Sequence, residues 1–401
     1  MRKEIFVTGM GMLSALGNDC GEALTSLREQ RSGIAPIHYL QTAHREFPVG
    51  EVKLSNEEMA SQLAIPESEP TTRTSLMGMI ALKEALRQAK IVDRNGLRIA
   101  LISGTTVGGM DKSEQYYLDF LSNDSRNAYI ATHDCGACTE MIADYFHLFT
   151  MVQTISTACS SAANAILIGA TLIEEGRADI AVVGGSECIT KFHLNGFNTL
   201  MILDKAPCRP FDATRCGLNL GEGAAFLVLE TKETMEPRGV TPLGRLAGCA
   251  NTCDAYHQTA SSPDGEGAYH AMKNALAAAG LQPAEISYIN AHGTGTQNND
   301  LSEGIAIQRV FGEKIPPVSS TKSYTGHTTS AAGAVEAVIS LLALRENFIP
   351  VNLNFKNRME ELTFAPATDS HPTGEMQHIL TNSFGFGGNE TAVIFSKTNA
   401  R

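Results

Sequence analysis

No apolar run in the 401-residue chain approaches the ~20 residues that a bilayer-spanning helix needs, so a helical membrane protein is excluded. Residues 1–9 enter a strand pattern directly, without the apolar core of a signal peptide, and a cytosolic protein is expected. Cys135-Gly136-Ala137-Cys138 is the one CxxC among nine scattered cysteines, and no closely spaced histidine pair completes a tetrahedral set. No metal is therefore expected, and the thiols read as reduced. Positive charge is in short supply: 31 Lys and Arg face 43 Asp and Glu, a net charge of -12. That balance argues against nucleic acid and anionic membrane as partners. Two familiar motifs each miss by one residue. Val7-Thr8-Gly9-Met10-Gly11-Met12-Leu13 begins like a dinucleotide loop, but Ser14 stands at the third glycine position. Gly184-Gly185-Ser186-Glu187-Cys188 fails the nucleophile elbow of serine hydrolases at its last residue.

What remains is the composition of a globular α/β protein: 43% hydrophobic, 18% charged, and 36 glycines, more than the usual ~7%. The pattern repeats once along the chain. The first half reads strand 5–9, helix 76–88, strand 99–104, a strand and helix over 154–176, and strands 180–184 and 225–229. The second half reads strand 242–249, helix 269–279, strand 286–290, a strand and helix over 318–347, and strands 379–383 and 392–395. The charged stretch 231–239 is the expected seam, dividing the chain into halves 1–238 and 239–401.

Three segments concentrate reactive side chains at strand ends, where α/β folds place ligands and chemistry. In Thr154-Ile155-Ser156-Thr157-Ala158-Cys159-Ser160-Ser161, a strand pattern becomes a small-residue helix pattern. A thiol there meets helix N-terminal amides and the macrodipole, which are expected to lower its pKa and to offer an oxyanion site. A buried cysteine serving as a small hydrophobe fits the local pattern equally well. In Tyr288-Ile289-Asn290-Ala291-His292-Gly293-Thr294-Gly295-Thr296, a strand ends in a histidine. In Val318-Ser319-Ser320-Thr321-Lys322-Ser323-Tyr324-Thr325-Gly326-His327, a third strand opens onto a lysine and a second histidine. A lone histidine is more often structural than catalytic; two, with a lysine, each past a strand end, carry more weight.

At these residues the chain resembles the condensing enzymes of the thiolase fold, within it the elongating β-ketoacyl-[acyl-carrier-protein] synthases of the type II kind. The resemblance extends from Ile5-Phe6-Val7-Thr8-Gly9 to Val393-Ile394-Phe395. It includes Arg209-Pro210-Phe211-Asp212, Asp254-Ala255-Tyr256-His257 and Ser383-Phe384-Gly385-Phe386-Gly387-Gly388. It implies a duplicated five-layer α-β-α-β-α fold and a decarboxylative Claisen condensation of an acyl thioester with malonyl-[acyl-carrier-protein], in fatty acid or related polyketide or polyene biosynthesis. Cys159 would be the nucleophile, His292 and His327 the enolate-stabilising donors, and Lys322 the anchor of the histidine geometry. Phe386 would supply an oxyanion amide and, with Phe384, a gate; Thr294 and Thr296 would hold the phosphopantetheine arm. Asn290, Glu303, Glu336 and Asn382 match positions that surround a monovalent cation or a buried polar network in relatives.

No cofactor is implied, since phosphopantetheine arrives on the acyl carrier protein. The implied assembly is a homodimer, or a heterodimer with a relative that has no nucleophile. Because the chain and its carrier are both acidic, docking is expected on a small basic set, Arg126, Lys205 and Arg209. A coenzyme A-dependent thiolase shares the fold but would pair its nucleophile with a second catalytic cysteine, where this chain has Phe384-Gly385-Phe386. A non-catalytic chain-length partner should have no Cys159. The chain departs from the family at Asn389-Glu390, where Thr-Asn is common, and its loop around Glu67 and Glu69 is acidic.

Overall fold

A computed structural model describes residues 3–66 and 68–399, so Glu67 lies outside the described residues. Ten strands occur in the order β1 (Ile5–Ser14), β2 (Ile99–Gly104), β3 (Met151–Ile155), β4 (Ile180–Glu187), β5 (Gly223–Glu230), β6 (Gly244–Cys253), β7 (Tyr288–Asn290), β8 (Val318–Ser319), β9 (His378–Gly385) and β10 (Asn389–Ser396). They join edge to edge as β3-β2-β4-β5-β1-β6-β10-β9-β7-β8. Reflected about the centre, each strand meets the one five places later in sequence. Strand sense obeys the same symmetry. β3, β2 and β4 run parallel, as do β8, β7 and β9, while the inner strands are antiparallel. The two five-stranded groups touch edge to edge only through the short ladder Ile5↔Leu246, Phe6↔Arg245 and Val7↔Gly244.

Helices fill the layers around these groups. Helix Ser161–Glu174 and helix Ala332–Glu346 pack on each other and lie between the two groups. The second is buried on every side from Ala332 to Leu344, apolar apart from Glu336 and Ser340, which are bonded inside the core. Helix Arg73–Gln88 covers the outer face of the first group. Helix Glu266–Ala279 does the same for the second. The stacking is helix, sheet, helix, sheet, helix: a mixed α/β thiolase-like fold. Strands β4 and β5 are buried along their whole length, which explains their continuous apolar runs.

The end of β1 differs from the sequence reading for a physical reason. β1 does not stop at Gly9 but continues to Ser14. A Cβ on Gly9 would lie 2.2 Å from the Ala85 carbonyl oxygen, and one on Gly11 would lie 2.0 Å from that of Ala81. These glycines resemble a turn, yet they let a helix backbone press onto a strand. The CxxC also resolves: it forms the first turn of helix Cys135–Phe146, where Cys138 is buried against Thr72.

Candidate active site

Strands β3 and β8 lie at opposite ends of the strand order, yet folding over the shared central helices brings their ends together. Cys159 follows β3 at a turn where Ala158 takes φ +51°, a left-handed conformation that a side chain rarely adopts. The neighbouring hydrogen bonds over-determine that conformation: Ser161 Oγ accepts from the Thr157 amide at 2.9 Å and donates to the Ala158 carbonyl at 2.6 Å. The thiol is buried, and its Sγ lies 3.1 Å from His327 Nε2. The Phe386 amide also points a hydrogen at the sulfur.

Burial pushes the Cys159 thiol up to about 12, against the lowering effects of the Lys322 charge and the Phe386 amide. This corrects the expectation of a thiolate favoured by the helix N-terminus: the desolvation cost outweighs it. His327 moves the opposite way, well below its ordinary value, first through burial and then through the Lys322 charge. Both directions favour a neutral thiol beside a neutral imidazole in the resting protein.

His292 is held from two sides. Its amide donates to Glu303 Oε1 and the Gly293 amide to Glu303 Oε2, both at 2.8 Å. Its ring Nδ1 accepts from Lys322 Nζ at 3.2 Å, which places the ring proton on Nε2. Burial and the Lys322 charge hold this imidazole neutral too. The two rings stand edge to face, 5.3 Å apart. His327 is fixed through its backbone: its amide donates to the Asn219 carbonyl at 2.7 Å, and its carbonyl accepts from Gly221 at 2.9 Å.

Lys322 is 1% exposed and donates also to Glu336. Burial raises Glu303 and Glu336 to about 7 each, opposed by amide donors at the first and by the Lys322 charge at the second. The four network residues thus form two groups. Asn290 bonds the Glu336 carbonyl at 3.3 Å, and Asn382 bonds Glu303 at 3.0 Å. Glu336 Oε2 and Asn382 Oδ1 are buried without a hydrogen-bond partner.

Cys159, His292, His327, Phe384 and Phe386 share one cavity of ≈ 340 Å³ with Thr294 and Thr296. The two threonine hydroxyls bond each other at 2.9 Å. Phe384 packs against the His292 ring, and Phe386 stacks on Phe197 with centroids 5.9 Å apart. A further cavity of ≈ 400 Å³ surrounds the buried Arg73–Glu222 ion pair and contains none of these groups. The sequence reading missed Phe197, Met201 and a second thiol, Cys216, all on the wall of the cavity that holds Cys159. Their helix and loop carry no strand-end signal. Of the basic candidates, Arg209 is committed internally, to Asp204 at 3.1 Å and to the Thr214 carbonyl at 2.6 Å. Arg126 stacks on Tyr116, and Lys205 is exposed over Phe47.

The signature of the beta-ketoacyl synthase N-terminal domain matches residues 2–235, and that of the C-terminal domain matches residues 243–356. Nodulation protein E of Rhizobium meliloti (strain 1021) is 33% identical over 99% of this chain and 100% of its own. The 3-oxoacyl-[acyl-carrier-protein] synthase 2 of Staphylococcus aureus (strain N315) is 31% identical over 99% of each chain. Among solved structures, the ishigamide ketosynthase/chain length factor superposes with a TM-score of 0.92 at 27% identity over 100% of both chains. A ketosynthase from Xenorhabdus doucetiae, solved in complex with its chain length factor, gives 0.84 at 32% identity over 99% of this chain and 98% of its own. The match spans both halves of the sequence at once, and the chain belongs to the β-ketoacyl synthase family of condensing acyltransferases.

Proposed function

We propose that the chain is a 3-oxoacyl-[acyl-carrier-protein] synthase that extends a carrier-bound acyl group by decarboxylative condensation. The observation that carries this reading is two neutral imidazoles facing one thiol: His327 Nε2 at 3.1 Å from Cys159 Sγ, and His292 beside it with its free N–H fixed by Lys322. Cys159 attacks the acyl thioester while its proton passes to His327, and the departing carrier thiolate takes that proton. Malonyl thioester then loses carbon dioxide, and the electron pair of the broken bond becomes an enolate. His292 donates from its Nε2–H to that charge as it develops, and so does His327 once its ring proton has moved from Nδ1 to Nε2. The enolate carbon attacks acyl-Cys159, the tetrahedral oxyanion rests on the Cys159 and Phe386 amides, and collapse returns the Cys159 thiolate, which takes up a proton.

Thr294 and Thr296 offer hydroxyls to the phosphopantetheine arm. Phe384 and Phe386 gate the passage from that arm to the acyl side. Asn290, Glu303, Glu336 and Asn382 form the polar bed beneath the histidines, and its two unpartnered oxygens suit a monovalent cation. We read the chain as two related halves, 1–238 and 239–401, supported by the reflected strand order. Its partners would be an acyl carrier protein and a second subunit, identical or a chain-length relative, as in the complexes named above. The relatives divide between 3-oxoacyl-[acyl-carrier-protein] synthases and ketosynthase–chain length factor pairs, so the pathway rests on experiment.

The test is intact-mass detection of acyl-Cys159 after incubation with acyl carrier protein thioesters of graded length, with release of labelled carbon dioxide from malonyl carrier. Acylation without malonyl-dependent release would favour a thiolase. Absence of both would remove the enzyme reading.

A further inference from the structure

The hairpin that carries Phe386 is tied to the nucleophile turn through a side-chain oxygen that accepts three hydrogen bonds. Asn389 opens β10 directly after Gly387 and Gly388, which take φ +83° and +77°. Its Oδ1 accepts from Ser160 Oγ at 2.7 Å, from Asn164 Nδ2 at 2.8 Å and from Asn251 Nδ2 at 2.8 Å. Ser160 is the residue after Cys159, Asn164 lies one turn further along the same helix, and Asn251 belongs to β6. The donors are themselves held. Asn164 also donates to Thr157 Oγ1 at 2.9 Å and accepts from Thr391 at 2.8 Å, and Ser160 Oγ lies 2.7 Å from the Thr157 carbonyl. The backbones pack just as closely, for a Cβ on Gly385 would stand 2.7 Å from the Thr157 carbonyl oxygen. Asn389 is thus the joint between the segment bearing the Phe386 amide and the segment bearing the Cys159 amide and thiol.

We propose that Asn389 is a positioning residue for acyl transfer, setting the spacing of the two amides that receive the oxyanion. The inference rests on the assignment of the Cys159 and Phe386 amides made under the proposed function. As Sγ bonds to the thioester carbon, the carbonyl electron pair moves onto oxygen, and the thiol proton goes to His327. Collapse breaks the bond to the leaving thiolate, which takes that proton back. The oxyanion exists only between those events, so a donor displaced at that moment slows the step without touching the thiol. A misplacement of ~1 Å can cost on the order of 100-fold. The Asn389-Glu390 departure from the family pattern places this acceptor where relatives commonly carry threonine.

The experiment compares wild type, Asn389→Leu, Asn389→Asp and Ser160→Ala. Self-acylation of Cys159 by the hexanoyl thioester of N-acetylcysteamine is followed by mass, beside alkylation by iodoacetamide, which forms no oxyanion. Asn389→Leu should acylate roughly 10-fold slower or worse. It should alkylate at the wild-type rate, and Asn389→Asp, which keeps an acceptor oxygen, should recover most of the acylation. Ser160→Ala removes one of the three donors and should fall between wild type and Asn389→Leu, which keeps the proposal testable if the leucine variant does not fold. Wild-type acylation in both Asn389→Leu and Ser160→Ala overturns the proposal. So does an equal loss of alkylation, or no recovery in Asn389→Asp. A wild-type protein that takes the hexanoyl group but never decarboxylates malonyl carrier would sink the condensation reading and leave this one standing.

Discussion

The ends of β3 and β8 occupy reflected places in the strand order, and they have been put to opposite uses. The end of β3 presents the proposed nucleophile on a turn of small residues, with Ala158 in a left-handed conformation and hydroxyls doing the bracing. β3 itself is a half-exposed edge: Val152 keeps 37% of its surface. The end of β8 presents Lys322 and His327 in deep burial, with every residue from Val318 to Ala331 buried and Lys322 at 1% exposure. A thiol that rests neutral and gives up its proton only as it attacks needs a shaped turn and little charge compensation. Imidazoles that must stay neutral next to a lysine need a dry setting and a carboxyl to balance that charge, which Glu336 supplies to Lys322, while Glu303 fixes the His292 and Gly293 amides. Divergence between the two ends therefore follows the electrostatics of what each carries.

The comparison breaks most visibly at the nucleophile. Cys159→Ala should abolish acyl transfer outright, while malonyl decarboxylation by the histidine pair persists. His292→Ala should do the reverse, retaining self-acylation and losing decarboxylation on the order of 100-fold, whereas His327→Ala should slow both steps, because His327 also takes the thiol proton. Acyl-enzyme mass and labelled carbon dioxide, read on the same three variants, decide it. Wild-type decarboxylation in either histidine variant removes the two-imidazole enolate model.

Next comes the buried ion pair. Lys322→Met leaves Glu336 without its cation and should cost about 3 kcal/mol in urea unfolding, part of the usual penalty being relieved because Glu336 can take a proton. The double variant Lys322→Met/Glu336→Gln should be more stable than Lys322→Met alone. If it is less stable, the carboxylate is not the burden that the geometry implies.

A pH profile sharpens the contrast further. Burial lifts the Cys159 thiol above its ordinary 9.0, so the thiolate fraction still climbs as pH passes that value. Iodoacetamide labelling of the resting protein should rise about tenfold per pH unit through neutrality, with no plateau below pH 9. Lys322→Met, which removes the lowering charge, should move the curve to higher pH. A plateau near pH 7 would show a resting thiolate–imidazolium pair instead.

The smallest effect is expected on the surface. Lys205→Glu should raise the Michaelis constant for acyl carrier protein several-fold at low salt, with Arg126→Glu weaker and melting unchanged in both. Unchanged kinetics at low salt would take both residues out of the docking surface.

The strand ends bearing Cys159, His292 and Lys322 to His327 were legible because each is a local event: an apolar run stops, and polar or small residues begin. The duplication was legible for the same reason, as periodicity repeated in order. Gly9 and Gly11 misled because close backbone approach and tight turning demand the same residue, and only the partner helix at Ala81 and Ala85 tells them apart. The thiol's resting state was misread because a helix N-terminus is written in sequence while desolvation is not. Phe197 and Asn389 acquire their meaning from residues far away in the chain: Phe197 meets Phe386, and Asn389 meets Ser160 and Asn251. Local pattern carries the choice of chemistry, because reactive side chains must follow secondary-structure boundaries. Which of them meet, and in what charge state, is decided by packing, because distance and dielectric are properties of the folded whole.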